Sequence, residues 1–131
     1  MIDLSLSRTR IKRLKMYKKT ILLDLDGVLN EYNGNYIHGY IPPARKDTLN
    51  FVKQLSKQYI IKLFTTRDIE IAKKWLNENR LSDYINSVTN TKELAWLIID
   101  DRSIRFDGCY ESMLNKINNF EVWYKKEKEN A

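Results

Sequence analysis

The chain predicts an α/β fold with a mainly parallel sheet and helices on both faces. Three observations carry this expectation. Short apolar runs, Ile21-Leu22-Leu23, Tyr59-Ile60-Ile61 and Leu97-Ile98-Ile99, are bounded by charged or polar residues, as buried strands are. Between them lie segments whose apolar residues recur at helical spacing. Polar residues gather where the runs end: Asp24 and Asp26, then Thr65 and Thr66, then Asp100 and Asp101. Alternating strands and helices build parallel sheets, and such sheets bind ligands beyond the carboxyl ends of their strands.

Taken in order, Thr20 to Leu25 predicts the first strand. Residues 27–41 follow as a polar loop with a turn at Asn33-Gly34. Tyr32, Tyr36, Ile37 and Ile41 give that loop enough apolar content for a small hairpin flap. Pro42-Pro43 predicts a helix start, because proline is tolerated in a first turn. That helix runs to about residue 58, with Leu49, Val52 and Leu55 inward and Thr48 and Phe51 beside them. Tyr59 to Phe64 is the second strand. Asp68 suits the N-cap of a helix reaching about Arg80, with Ile69, Ala72, Trp75 and Leu76 inward. Tyr84 to Val88 predicts a third strand, Glu93 to Trp96 a helical turn, and Leu97 to Ile99 a fourth strand. A last helix is expected from about Glu111 to Lys126, with Met113, Leu114, Ile117, Phe120 and Tyr124 at helical spacing and a charged, frayed end.

At 131 residues and 43% apolar content the chain can bury one core, so a single domain is expected. No run approaches the ~20 apolar residues of a membrane helix. Residues 1–19 lack the continuous apolar stretch of a secretory signal. The single cysteine, Cys109, excludes an internal disulfide and a cysteine-built zinc site. It fits a reducing, cytoplasmic compartment and reads as a packing residue. The net charge of +6 is concentrated in residues 8–19: Arg8, Arg10, Lys12, Arg13, Lys15, Lys18 and Lys19, with no acid among them. Beyond residue 19, sixteen Lys and Arg face sixteen Asp and Glu. The chain therefore divides into a basic segment 1–19, disordered or helical, and a neutral domain 20–131. The segment is either an arm for nucleic acid or an anionic surface, or a solvated terminus. Met16 directly precedes the first strand and is an alternative start, which would make residues 1–15 an extension without function.

Asp24-Leu25-Asp26-Gly27 is the most informative stretch. Asp is depleted in strands, and neighbouring carboxylates raise each other's pKa unless a cation lies between them. The stretch predicts a strand opening into an acidic, cation-binding loop, with Gly27 allowing a sharp exit. The same residue types also make solvated turns and helix N-caps. A magnesium ion takes hard oxygen ligands of this kind. A carboxylate beside it can attack phosphorus, and a second carboxyl in the loop can act as acid and then base. A hydroxyl and an ammonium, Thr65 and Lys92, can hold the phosphoryl oxygens.

Over most of residues 20–107 the ordered set resembles the haloacid dehalogenase (HAD) superfamily phosphohydrolases. Asp24-Leu25-Asp26-Gly27-Val28-Leu29 resembles that family's first motif, Thr65 the second, Lys92 the third, and Asp100-Asp101 after Leu97-Ile98-Ile99 the acidic fourth. The resemblance implies a Rossmann-like three-layer sandwich, with Asp24 as nucleophile and Asp26 as general acid and base. It implies phosphate binding by Thr65 and Lys92, with Thr66 the alternative hydroxyl. It also implies a Mg²⁺ site of Asp24, Asp26 through its backbone carbonyl, Asp100 and Asp101. Many members carry a separate cap domain. Here 41 positions from Asp24 to Thr65 and 27 from Thr65 to Lys92 leave no room for one. An open site implies a bulky substrate, or a lid made by loop 30–41 or by a homo-oligomer partner.

The expected activity is Mg²⁺-dependent hydrolysis of a phosphomonoester through an aspartyl phosphate, on a small metabolite, nucleotide or sugar phosphate. Within that resemblance, an Asp two positions after the nucleophile implies a phosphatase or phosphomutase, and a mutase without a cap could not keep its intermediate from water. One alternative is a polynucleotide end phosphatase that uses residues 8–19. Another is a non-catalytic phospho-binding module such as a receiver domain. The latter would place one acceptor Asp before Thr and Lys, whereas the paired acids come last here. Arg67 and Arg102 are read either as substrate-anion contacts or as rim ion pairs, and His38 as a surface loop residue, with a substrate contact from the flap as the alternative. Trp75, Trp96, Trp123 and most tyrosines are read as packing residues in place of a base-stacking platform.

Overall fold

The structure, a computed structural model, describes residues 17–125. The readings of residues 8–15 as a basic arm, of Met16 as an alternative start and of a frayed end beyond residue 125 lie outside the described residues. The elements are β1 (Lys19–Asp24), α1 (Thr48–Ser56), β2 (Tyr59–Phe64), α2 (Ile69–Glu78), a 3-10 turn (Ser82–Tyr84), β3 (Ser87–Thr89), β4 (Leu97–Ile99) and α3 (Tyr110–Asn118). The strands form one sheet in the order β3-β2-β1-β4, and every pair is parallel. No helix among the described residues is long and apolar enough to cross a membrane.

Ile21, Leu22 and Leu23 of central β1 are essentially fully buried, which is why the strand reads as an unbroken apolar run. Leu23, Ile61 and Leu63 share a cluster with Val52 of α1 and with Ala72, Trp75 and Leu76 of α2. Alternate strand residues face one side, so α1 and α2 cover the same face. The side chain of Asp68 caps α2 as expected, accepting from Ile71 N at 3.0 Å. The layer expected on the other face is not built by α3, none of whose residues is buried.

Several local expectations are corrected. Pro42-Pro43 does not open a helix. Their carbonyls accept from Trp75 Nε1 at 3.0 Å and Glu31 N at 2.9 Å, and a residue before proline is held out of the helical region. The helix begins only at Thr48, after Asp47 turns the chain at φ 68°. Leu49 and Phe51 of α1 are exposed, while Thr48 and Val52 are buried. Tyr84 ends a 3-10 turn, and β3 starts at Ser87. Glu93 to Trp96 is not helical: Glu93 pairs with Lys62 at 3.6 Å and Trp96 N donates to Thr20 O at 2.9 Å, fixing the approach to β4.

The helix expected to run to about Lys126 breaks after Asn118; residues 120–122 are not helical, and helix resumes at residues 123–125. Beyond Asn118, Val122 and Tyr124 are buried, and Trp123 Nε1 donates to Gly27 O at 2.8 Å, so the chain folds back over the loop after β1. Cys109 is exposed and caps α3 through its sulfur in place of packing inside. Trp96 is also exposed, stacked on Tyr59 with ring centroids 5.6 Å apart. In place of a hairpin, the flap carries two isolated bridges, Asn30 with Ala44 and Ile37 with Tyr40.

Candidate active site

Sheet register assembles the acidic residues. Parallel pairing sets Asp24 beside Phe64, and Leu23 beside Ile99. The next residues on, Thr65 and Asp100, therefore emerge level with the end of β1, on strands that flank it on either side, each about 4.8 Å away. Asp24, Asp100 and Asp101 each offer a carboxylate oxygen, and these atoms lie within 4.8 Å of one another. Burial pushes the Asp24 carboxyl up to about 9, helped by a hydrogen bond with Asp101 and the nearby charges of Asp100 and Asp101. Burial raises Asp101 as well. Asp101 Oδ2 is buried without a hydrogen-bond partner. Gly27 makes this approach possible: its φ is +81°, and a Cβ there would collide with the Asp101 carboxylate.

Asp26 stands apart from that group of three. Its Oδ2 pairs with Arg67 Nε at 2.7 Å, and its Oδ1 accepts from Asn30 Nδ2 at 3.0 Å. Asn30 Oδ1 in turn accepts from Gly27 N and Tyr32 N, which shapes the loop after β1. Arg67 is only 4% exposed, so it is neither an open anion contact nor a rim pair. Arg67 Nη1 donates to Tyr40 O at 2.8 Å, tying the flap to the site, while Nη2 is buried without a partner.

Thr65 is buried, and its hydroxyl accepts from Arg67 N at 3.1 Å; Thr66 is exposed. Asn90, at the end of β3, donates to Thr65 O at 2.6 Å and Arg67 O at 2.9 Å. It clamps the 65–67 loop from outside, and no motif pointed to it. A cleft of about 270 Å³ is lined by Asp24, Asp26, Thr65, Thr66, Asp100 and Asp101, with Tyr32, Tyr36, Phe64 and Arg102 beside them. Lys92 and His38 are exposed and outside this lining. Arg102 donates from Nη2 to Tyr124 Oη at 3.0 Å and from its backbone N to Asp100 Oδ1 at 2.8 Å. The structure thus brings together both threonines and all four aspartates, and leaves Lys92 out.

Neither the family models nor the curated proteins give a match to this chain. A solved structure, described as that of a conserved protein coded by a locus from Bacteroides thetaiotaomicron, is similar. The two share 18% identity and a TM-score of 0.53, over 82% of this chain and 95% of that one. At this identity the likeness concerns the fold alone, and it agrees with an α/β parallel sheet.

Proposed function

We propose that the chain is a divalent-cation-dependent phosphomonoesterase of the HAD type, with Asp24 as nucleophile. One observation carries the reading. Carboxylates from two adjacent strand ends converge within 4.8 Å, in a cleft that also holds a buried threonine from a third strand. The donor set fits a hard cation such as Mg²⁺: three carboxylates that repel one another when charged, one with a buried oxygen lacking a partner. Asp24, Asp100 and Asp101 would hold it, with the backbone carbonyl of Asp26. Bound there, the cation would screen the ester's charge and stabilise charge developing on the phosphoryl oxygens.

The chain's own groups supply the rest. An Asp24 oxygen attacks phosphorus as the bond to the ester oxygen breaks, and Asp26 gives that leaving oxygen its proton. Asp26 then takes a proton from the water that attacks the aspartyl phosphate. The phosphorus–oxygen bond to Asp24 breaks, releasing phosphate and restoring both carboxyls. Arg67 and Asn30 fix where the Asp26 carboxyl sits between these steps. Thr65 and Thr66 border the phosphoryl position, and Arg102, unlike Lys92, lies in the cleft lining. Asp24→Asn abolishes Mg²⁺-dependent turnover of an aryl phosphate while leaving the fold intact by circular dichroism. Undiminished turnover would overturn the assignment.

A further inference from the structure

We infer that Tyr36, backed by Arg67, is a stacking platform that selects phosphomonoesters bearing a planar aromatic group, the base of a nucleotide being the principal case. The inference rests on the phosphatase reading of the cleft and extends it to substrate class. Tyr36 sits in the loop after β1, is 57% exposed, and lines the same cleft as Asp24 and Thr65. An exposed tyrosine is ordinary by itself. This one lies against a cation: the Arg67 guanidinium carbon is 4.7 Å from the ring centroid, within cation–π range. Arg67 is itself fixed, by Asp26 at 2.7 Å and by Tyr40 O at 2.8 Å. Arg67 does not line the cleft. The surface that Tyr36 gives to the cleft is therefore what Arg67 leaves bare.

The ring lies against a fixed guanidinium, so part of its rotamer freedom is already restricted before a planar group stacks on it. A second aromatic faces the same space. Tyr32 lines the cleft edge-on to Tyr124, with centroids 6.1 Å apart at 82°, and Tyr124 accepts from Arg102. An aliphatic ester leaves this aromatic surface wet, whereas a nucleoside or aryl ester covers it. The cleft, at about 270 Å³, is small for a bulky ligand, so part of such a substrate stays outside, where Tyr36 stands exposed.

The test compares kcat/KM for adenosine monophosphate, phenyl phosphate and glycerol phosphate with Mg²⁺, in the natural chain, Tyr36→Ala and Tyr36→Phe. The natural chain prefers the aromatic esters to glycerol phosphate. Tyr36→Ala lowers that preference about ten-fold, within the range of one aromatic stack, and does so mainly through KM. Tyr36→Phe keeps most of it. Loss confined to adenosine monophosphate identifies a nucleotide site, and equal loss for both aromatic esters a general aryl site. An equal fall for all three esters, or no initial preference, overturns the inference while Asp24→Asn still tests the phosphatase reading. Equilibrium binding of the same three compounds, compared between the natural chain and Tyr36→Ala, decides the point even if none is turned over.

Discussion

The two sides of the sheet are built differently. Around β1 and β2, Leu22, Leu23 and Leu63 have no exposed surface, and Ile21 and Ile61 are 1% exposed. On the other side, Leu97 of edge strand β4 is 43% exposed and Leu114 of α3 is 64% exposed. Asp24 and Thr65 therefore leave a fully packed frame, while Asp100 and Asp101 leave a three-residue edge strand. That strand is held by its pairing with β1 and by the Trp96 N to Thr20 O bond. The nucleophile's position is set by the core. Closure of the acidic group depends on how firmly the edge stays docked.

The largest effect separates these sides by stability. Leu63→Ala removes a fully buried side chain and costs about 3 kcal/mol, in the range measured for core Leu→Ala changes. Leu114→Ala, on the outside of α3, changes stability by less than about 0.5 kcal/mol. Urea unfolding of the two variants checks this. Similar losses would mean that α3 is packed as tightly as the core.

A second, smaller effect sits where the two sides meet. Gly27→Ala meets two obstacles at once, a left-handed φ and the Asp101 carboxylate, and costs about 2 kcal/mol or more. Gly34 also has positive φ, +102°, but its nearest foreign atom is at 3.9 Å, so Gly34→Ala carries only the backbone part, about 1 kcal/mol. Calorimetric Mg²⁺ titration sharpens the difference: binding weakens in Gly27→Ala and persists in Gly34→Ala. Equal effects at both glycines would mean that the Asp101 carboxylate does not crowd Gly27 in solution.

Legibility in the sequence followed the range of the forces involved. β2 and β4 could be bounded to the residue, because charge or polarity brackets short apolar runs. The cap Asp68 was readable because its partner, Ile71 N, is three residues away. The strand-end rule placed Asp24, Asp26, Thr65, Thr66, Asp100 and Asp101 in one region, and all six line one cleft. What failed was non-local. Pro42 and Pro43 look like a helix start until Glu31 and Trp75 claim their carbonyls. The apolar row from Met113 to Tyr124 keeps helical spacing, yet the helix breaks after Asn118 and Trp123 and Tyr124 come back against Gly27, 96 positions earlier than Trp123. Nothing near Arg67 in sequence says that it will be buried against Asp26, and nothing near Asn90 says that it will clamp Thr65.

A further effect concerns protons at the junction itself. Asp24 has an ordinary value near 3.8 when unfolded and about 9 in the fold, so the folded chain binds the extra proton throughout that window. The Asp24 contribution to the stability of the metal-free protein is therefore full below about pH 4 and is lost as pH rises toward 9; Asp101, also raised, acts in the same direction. Asp107 has the opposite sign, held down to about 2 by Ser112, the Cys109 backbone and Lys116. Its contribution changes only at acid pH below that window, so it does not mask the trend. In EDTA, melting temperature should fall between pH 5 and pH 9. Asp24→Asn should flatten that slope, and excess Mg²⁺ should raise the melting temperature more at pH 9 than at pH 5, because it binds the charged carboxylates. A melting temperature that rises with pH in EDTA would mean that the three carboxylates are not crowded together in solution. The docked edge strand would then lose its role in building the site.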